Sequence, residues 1–326
     1  MTKLCTTFMI QSLVAVGMAG TLPIPQARVA LQHRLITTVG TEDGRVLNVA
    51  TSTLKVAREI RVGGPVTAIV NLPGSDSLFV LVSMGVGTEI HELGAVDLQS
   101  RQIISVPTLP PALAAVVING NDAFVLSGNP SNFQGTLIQL KTGKILSTVS
   151  NLIEGLLYQT AGLNSDYGIV AIPGAYPGEV VEVNVRDTAN PVVSRRTVVN
   201  DWIHDVKLIA PDRAIVAGHL KGVGLIPLLQ HEGEVPEPMT YLPLTNEKSA
   251  HLLLAPGRVI AASLGNLDII EFGSLRVTRK IFEPIPSEVP EFQSGVLPIG
   301  LGPSDEVVLL QEGSGLITVF TKASQR

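Results

Sequence analysis

The hexapeptide Asn200-Asp201-Trp202-Ile203-His204-Asp205 concentrates reactive side chains. It holds the chain's single tryptophan, one of its six histidines and two carboxylates. A carboxylate beside an imidazole suits general acid–base chemistry, because histidine titrates near neutral pH and a carboxylate can orient or tune it. The same donor set suits a divalent metal ion through nitrogen and oxygen ligands. Each residue also has a plainer role. An aspartate before a strand caps a turn, and a histidine there is a hydrogen-bonded turn residue. Trp202 reads first as a hydrophobic plug between layers and second as a ring lining a substrate-binding site. Asp201 reads first as a loop residue and second as a further substrate-binding carboxylate.

The elements that must position this stretch follow directly. Val206 to Ala210, the turn Pro211-Asp212-Arg213 and Ala214 to Gly218 form a hairpin behind a polar gate. The unit recurs. Val66 to Val70 leads through Pro73-Gly74-Ser75-Asp76 to Leu78 to Val82, and Leu113 to Ile118 leads through Asn119-Gly120-Asn121-Asp122 to Ala123 to Leu126. Leu156 to Ala161 leads through Asn164-Ser165-Asp166 to Tyr167 to Ala171, Leu252 to Ala255 leads to Arg258 to Ala261, and Val296 to Leu301 leads to Glu306 to Leu310. Positions 65, 112, 155, 205, 251 and 295 stand just before the first runs, so the period is 43 to 50 residues. That period fits a four-stranded propeller blade of roughly 40 to 50 residues and is far too long for a β-helix coil. Third and fourth strands are visible as Val180 to Val185, as Leu267 to Phe272, and as Thr136 to Leu140 joined through Lys141-Thr142-Gly143-Lys144 to Ile145 to Val149. An N-terminal unit spans Arg28 to Val62, with strands near 35–39, 45–50 and 55–62, and the last unit stops after Leu316 to Phe320. Counting units predicts an all-β, single seven-bladed propeller; sharing of strands between the termini predicts six blades, or completes the last one.

Composition limits the function classes. Hydrophobic residues make up 45% of the 326-residue chain and charged residues 16%, so a large core is available, and aromatics at 4% leave its packing to aliphatic side chains. A net charge of −5 with no basic stripe argues against a nucleic-acid partner. Beyond the N-terminus there is no apolar run of about 20 residues that would span a membrane. Residues 1–20 read as a secretory signal peptide: Lys3, the apolar Phe8 to Ala19, then small residues and Pro23 and Pro25, with cleavage between 19 and 27 and the propeller occupying 28–326. The single cysteine, Cys5, falls within that leader, so the mature chain would hold no thiol chemistry. Lys221-Gly222-Val223-Gly224 has no following helix and is not a phosphate loop.

In a propeller the first strands of all blades line one axis, so their starts converge on one mouth. Three consecutive units bring ionisable groups there: Glu154, then His204 with Asp205, then His251. These four are the candidate catalytic residues. The remaining units bring Gly64-Pro65, Pro111-Ala112 and Ser294-Gly295, so the expected site is one-sided. His219 is expected away from the channel, and His91-Glu92 on a solvated face.

The stretches Leu137 to Ile145 and Ala210 to Ala217 resemble degenerate blades of the YVTN-type and gluconolactonase-like (senescence-marker-protein-like) propeller superfamily. That resemblance implies a metal at the mouth, held by Glu together with Asn or Asp. Glu154 and Asp205 match it as candidate ligands of one divalent ion, whereas His204 and His251 depart from it. It implies either lactone or ester hydrolysis with a metal, or a metal-free isomerisation or cyclisation like that of some propellers in fungal natural-product pathways. The partner is then a small organic substrate. The alternative is a non-catalytic propeller that presents loops 232–238 and 283–290 to a protein or polysaccharide.

Overall fold

The computed structural model describes residues 14–15, 18–129, 132–153, 163–174, 178–199, 201–219, 222–228, 240–242, 250–274, 276–286 and 295–321, and every regular element among them is a β-strand. Two short strands come first, β1 (Val14–Ala15) and β2 (Met18–Pro23). Blade 1 comprises β3 (Ala27–His33), β4 (Ile36–Thr41), β5 (Arg45–Ala50) and β6 (Lys55–Arg61). Blade 2 comprises β7 (Val66–Asn71), β8 (Ser77–Ser83), β9 (Thr88–Gly94) and β10 (Ser100–Val106). Blade 3 runs through β11 (Ala112–Asn119), β12 (Asp122–Asn129), β13 (Asn132–Gln139) and β14 (Lys144–Val149). Blade 4 has β15 (Asn164–Asp166), β16 (Ile169–Gly174), β17 (Glu179–Asn184) and β18 (Val192–Val198). Blade 5 has β19 (Ile203–Ala210), β20 (Arg213–Gly218), β21 (Val223–Pro227) and β22 (Thr240–Leu242). Blade 6 has β23 (His251–Ala255), β24 (Arg258–Ser263), β25 (Asn266–Glu271) and β26 (Val277–Ile281), with β1 added parallel to its outer edge. Blade 7 has β27 (Val296–Leu301), β28 (Glu306–Gln311) and β29 (Gly315–Phe320).

The fourth strand of blade 7 is β2, antiparallel to β29 with Thr21 opposite Ile317 and Leu22 opposite Leu316. Sharing between the termini therefore completes a seventh blade instead of reducing the count to six. The inner strands β3, β7, β11, β15, β19, β23 and β27 each touch the next, and β27 touches β3. The ring is a seven-bladed propeller. Residues 18–27 are part of it, since Ile24 lies in the core between blades 7 and 1.

The burial pattern explains the composition. Each blade is sandwiched between two others, so its middle strands need apolar residues on both faces; β8 reads Ser-Leu-Phe-Val-Leu-Val-Ser and is buried almost throughout. Outer strands meet solvent, and β18 alternates exposed with covered residues along Val-Val-Ser-Arg-Arg-Thr-Val. Among the described residues the hydrophobic clusters sit at the seams between blades: Phe79 and Leu81 meet Val125 and Ile138, and Ile215 and Ala217 meet Leu252 and Val259. Polar pins cross the same seams. Asn48 Nδ2 donates to the carbonyls of Ala95 and Val96 at 2.9 and 3.0 Å, and Gln32 Nε2 donates to Leu301 O at 2.8 Å. The predicted β13–β14 hairpin turns at Gly143, whose φ of 68° lies in the left-handed region.

Two expectations change. Asn164-Ser165-Asp166 is the short inner strand of blade 4, not a turn, and the turn falls at Tyr167-Gly168. Asn164 looks like a turn residue because it is polar, but its Oδ1 accepts the Leu208 N–H of blade 5 at 2.8 Å. The run Leu156 to Ala161 lies outside the described residues. In blade 1 the first strand is Ala27–His33, ahead of the three strands read from the sequence.

Candidate functional site

His204 owes its position to a bulge. In the β19–β20 ladder Ile203 faces Gly218 and Asp205 faces Ala217, which leaves His204 as the extra residue. A bulge of this kind re-aims a side chain without changing the rest of the strand. The buried His204 ring lies 5.7 Å from the His219 ring and 6.3 Å, edge-on, from the His251 ring of the next blade. His219 follows β20, and its N–H donates to the Trp202 carbonyl at 2.9 Å. The Trp202 and His219 rings stack at 5.3 Å, and Trp202 is 41% exposed. Trp202 is thus an open platform at the mouth and not a plug between blades. His219 belongs to the cluster, contrary to its expected place away from the channel: the residue after a second strand returns to the same mouth as the start of the first.

Burial sets the electrostatics of the imidazoles. His204 is pushed down from 6.5 to about 3, chiefly by desolvation and then by its two histidine neighbours. Burial pushes His251 down as well; Asp205 opposes that shift and Lys207 adds to it. Both rings are neutral at physiological pH, so they offer one N–H donor and one nitrogen acceptor each, and not a base that titrates near neutrality.

Asp205 and Asp201 are occupied structurally. Asp205 Oδ1 accepts from Lys207 Nζ at 2.7 Å, and Oδ2 accepts the Leu252 N–H of blade 6 at 2.7 Å. His251 Nδ1 stands 3.9 Å from Oδ2, beyond a hydrogen bond. Asp205 is therefore a pin between blades 5 and 6 that also holds the two histidine-bearing strands in register. Replacing it with alanine strands a buried N–H and a partly buried ammonium. Asp205→Ala is expected to destabilise the protein by about 2–4 kcal/mol, read as a lower midpoint in thermal or urea unfolding. Asp201 Oδ1 accepts the Trp202 N–H at 2.7 Å, which caps the turn that presents the ring. Gly178 and Gly218 make room for Asp201, since a Cβ on either would collide with it.

Glu154 and Asn200 lie outside the described residues, as do loop 232–238 and positions 287–290 of the second loop. Both oxygens of Asp205 are already engaged, and among the described residues no three His, Cys, Asp or Glu side chains are grouped to hold a metal ion. His91 is buried on β9, with Nε2 3.1 Å from Glu89 Oε2, and does not lie on a solvated face.

Sequence missed three positions. His219 and Glu312 each follow a second strand, and each sends its N–H to the residue ahead of the first strand, Trp202 O at 2.9 Å and Gly295 O at 3.0 Å. Arg28 is the extra residue of the β3 bulge, as His204 is of the β19 bulge. The mouth is thus polar in blades 7 and 1 as well, not on one side alone. Only the hairpin spacing, read residue by residue for its bulges, could have found them.

No known family pattern and no curated protein matches the chain. Among solved structures it is similar to the β-propeller domain of Cps50 (Swd1) from Myceliophteria thermophila, with 14% identity and a TM-score of 0.64 over 94% of this chain and 100% of that one. The likeness supports the fold. It is a β-propeller. Among the described residues no helix of the propeller is long and apolar enough to cross a membrane.

Proposed function

We propose that this propeller is a secreted enzyme of the gluconolactonase-like kind that holds a small, uncharged organic substrate at its mouth for isomerisation or cyclisation. The observation that carries this reading is the gathering of His204, His219 and His251 beside the half-exposed face of Trp202. A flat apolar substrate has a stacking surface, and neutral imidazoles hydrogen-bond its oxygens without demanding a charge. Asp205 and Lys207 pair at 2.7 Å and neutralise one another. A ring held near pH 3 is a poor general base, which favours catalysis by orientation over proton abstraction by histidine. Well-oriented intramolecular reactions gain about 7–11 kcal/mol from placement alone. The apolar leader from Phe8 to Ala19 supports secretion.

Trp202, the only tryptophan, gives a direct readout. Its fluorescence is expected to change saturably with dihydrocoumarin and with a panel of uncharged terpenoid lactones and enones. The ring-opened carboxylates are expected not to compete. His204→Ala should weaken binding about two- to tenfold, the loss of one hydrogen bond. Release of hydroxy acid from bound dihydrocoumarin would turn the reading to a lactone hydrolase. No saturation anywhere in the panel, or equal binding of the carboxylates, overturns it and leaves the loop-presenting platform.

A further inference from the structure

Neighbouring blades cover both faces of each inner strand, so water reaches the middle of such a strand only along the axis of the ring. In blades 1 and 3 half-buried residues run along the strand, Arg28 to His33 and Leu113 to Ile118, and blade 7 adds Leu297 and Ile299. In blades 5 and 6 the strand starts that carry His204 and His251 are buried, and the opening begins beyond them, at Ile209 and at Leu253 to Ala255. The geometry is a neck of histidines above an aliphatic bore. A strand facing the axis would leave a row of unpaired N–H and C=O groups there, but side chains from the neighbouring blades cap several of them. Asn164 Oδ1 accepts the Leu208 N–H at 2.8 Å and Asp205 Oδ2 the Leu252 N–H at 2.7 Å. Gln32 Nε2 donates to Leu301 O at 2.8 Å, and the Tyr167 hydroxyl to Ile209 O at 3.4 Å. Lys207 turns to Asp205, and Thr67 and Asn71 turn back onto carbonyls of their own blade. These polar side chains are held in the wall. Arg28 stands at the mouth, and His33 and Asp166 at the far rim, so the described wall between them is otherwise aliphatic.

We propose that this bore is a hydrocarbon site: the ligand whose uncharged head lies against Trp202 and the histidines carries a flexible alkyl or prenyl chain that runs down the axis past His204 and His251. The inference rests on the ligand-binding reading above. A chain of methylenes displaces water from the aliphatic wall and needs no hydrogen bond in return. A charged or sugar tail would lose its hydration against a wall whose polar groups are already engaged, which costs free energy. From His251 to Ala255 the wall descends about 13 Å, at about 3.3 Å per residue. It therefore meets a chain of several carbons and not a single methyl group. Head and tail are read by the same two strands, since β19 carries both His204 and Ile209 and β23 both His251 and Leu253.

Six-membered lactones bearing straight chains from methyl to octyl test this in the full chain, with Trp202 fluorescence as the readout and dihydrocoumarin as the tailless reference. Each added methylene is expected to tighten binding about fourfold, the transfer value of one buried CH₂, until the bore is filled. Leu253→Gln places an amide in the wall and should cost the octyl lactone about tenfold or more relative to the methyl lactone. Ile299→Gln repeats the test from blade 7, and a melting midpoint shows that each variant is folded. Affinity that is flat along the series while dihydrocoumarin still binds overturns the bore alone. A gain per methylene that survives unchanged in both folded variants puts the chain on another surface and also overturns it. Absence of binding by dihydrocoumarin and every lactone overturns the bore together with the ligand reading.

Discussion

A chain that begins at Arg28 is expected to lose its cooperative fold, whereas one that begins at Gly20 keeps it. The chain from Gly20 retains Gly20, Thr21, Leu22 and Pro23 in register with β29. The chain from Arg28 also loses Ile24 and Ala27, both buried among Val39, Leu47, Val308 and Leu310. Burying one isoleucine stabilises by about 1.5–3 kcal/mol, and each ladder hydrogen bond contributes about 0.5–1.5 kcal/mol. The summed loss is on the order of 5 kcal/mol or more, comparable with the whole net stability of a typical domain, about 5–15 kcal/mol. It also uncovers β29 as an apolar edge of Leu316, Ile317 and Val319, which invites association between chains. Thermal melting and size-exclusion chromatography of the two truncations check this; equal midpoints and equal monomer fractions would refute it. On the secretion proposed above, N-terminal sequencing of the exported protein should find a start at or before Gly20, because a cut near 27 removes the closing strand.

Acid should unfold the protein through its histidines before its carboxylates are exhausted. A histidine lowered in the folded state binds fewer protons there than in the unfolded chain, so stability is complete above the unfolded value of 6.5 and falls as pH drops toward about 3. For His204 alone the full drop is at most about 5 kcal/mol, at about 1.4 kcal/mol per pH unit. His251 shifts in the same direction. Urea unfolding measured across that window should give a slope about one proton steeper in the wild type than in His204→Gln. Carboxylates add the same contribution to both proteins, so the difference is the readout. Identical slopes would mean that His204 is not held neutral by burial.

The fold is largely legible in the apolar runs. A strand covered on both faces must be apolar throughout, and Leu78 to Val82 and Ala123 to Leu126 announce themselves for that reason; Val180 to Val185 shows instead by its alternation. The recurrence of such runs sets the blade length. Asn164 to Asp166 escapes because an inner strand can be polar when a neighbouring blade takes its hydrogen bonds. The site is less legible. His204, Asp205 and His251 are found by counting to the strand starts, but a bulge adds one residue without disturbing the apolar pattern. The bulge aims His204 into the cluster and, in blade 1, singles out Arg28. Asp205 reads as a chemical group by type, yet it serves the Leu252 N–H, a partner 47 positions away that no local pattern reveals. His219 and Glu312 belong to turns, where polar residues are the rule, and only strand pairing returns them to the mouth.

The pairing of β2 with β29 also sets an order of events. Thr318 Oγ1 bonds Gly20 O across 298 positions of chain. During synthesis β2 leaves the ribosome ahead of every blade and waits unpartnered until the last strand appears. Blades 1 to 6 can assemble as an open arc meanwhile, since each packs against the blade made just before it. Completion of the ring is a single late, long-range step, the kind that makes folding slow and exposes unpaired edges. A cell that makes this protein must therefore shield an open arc until its own beginning returns to its end.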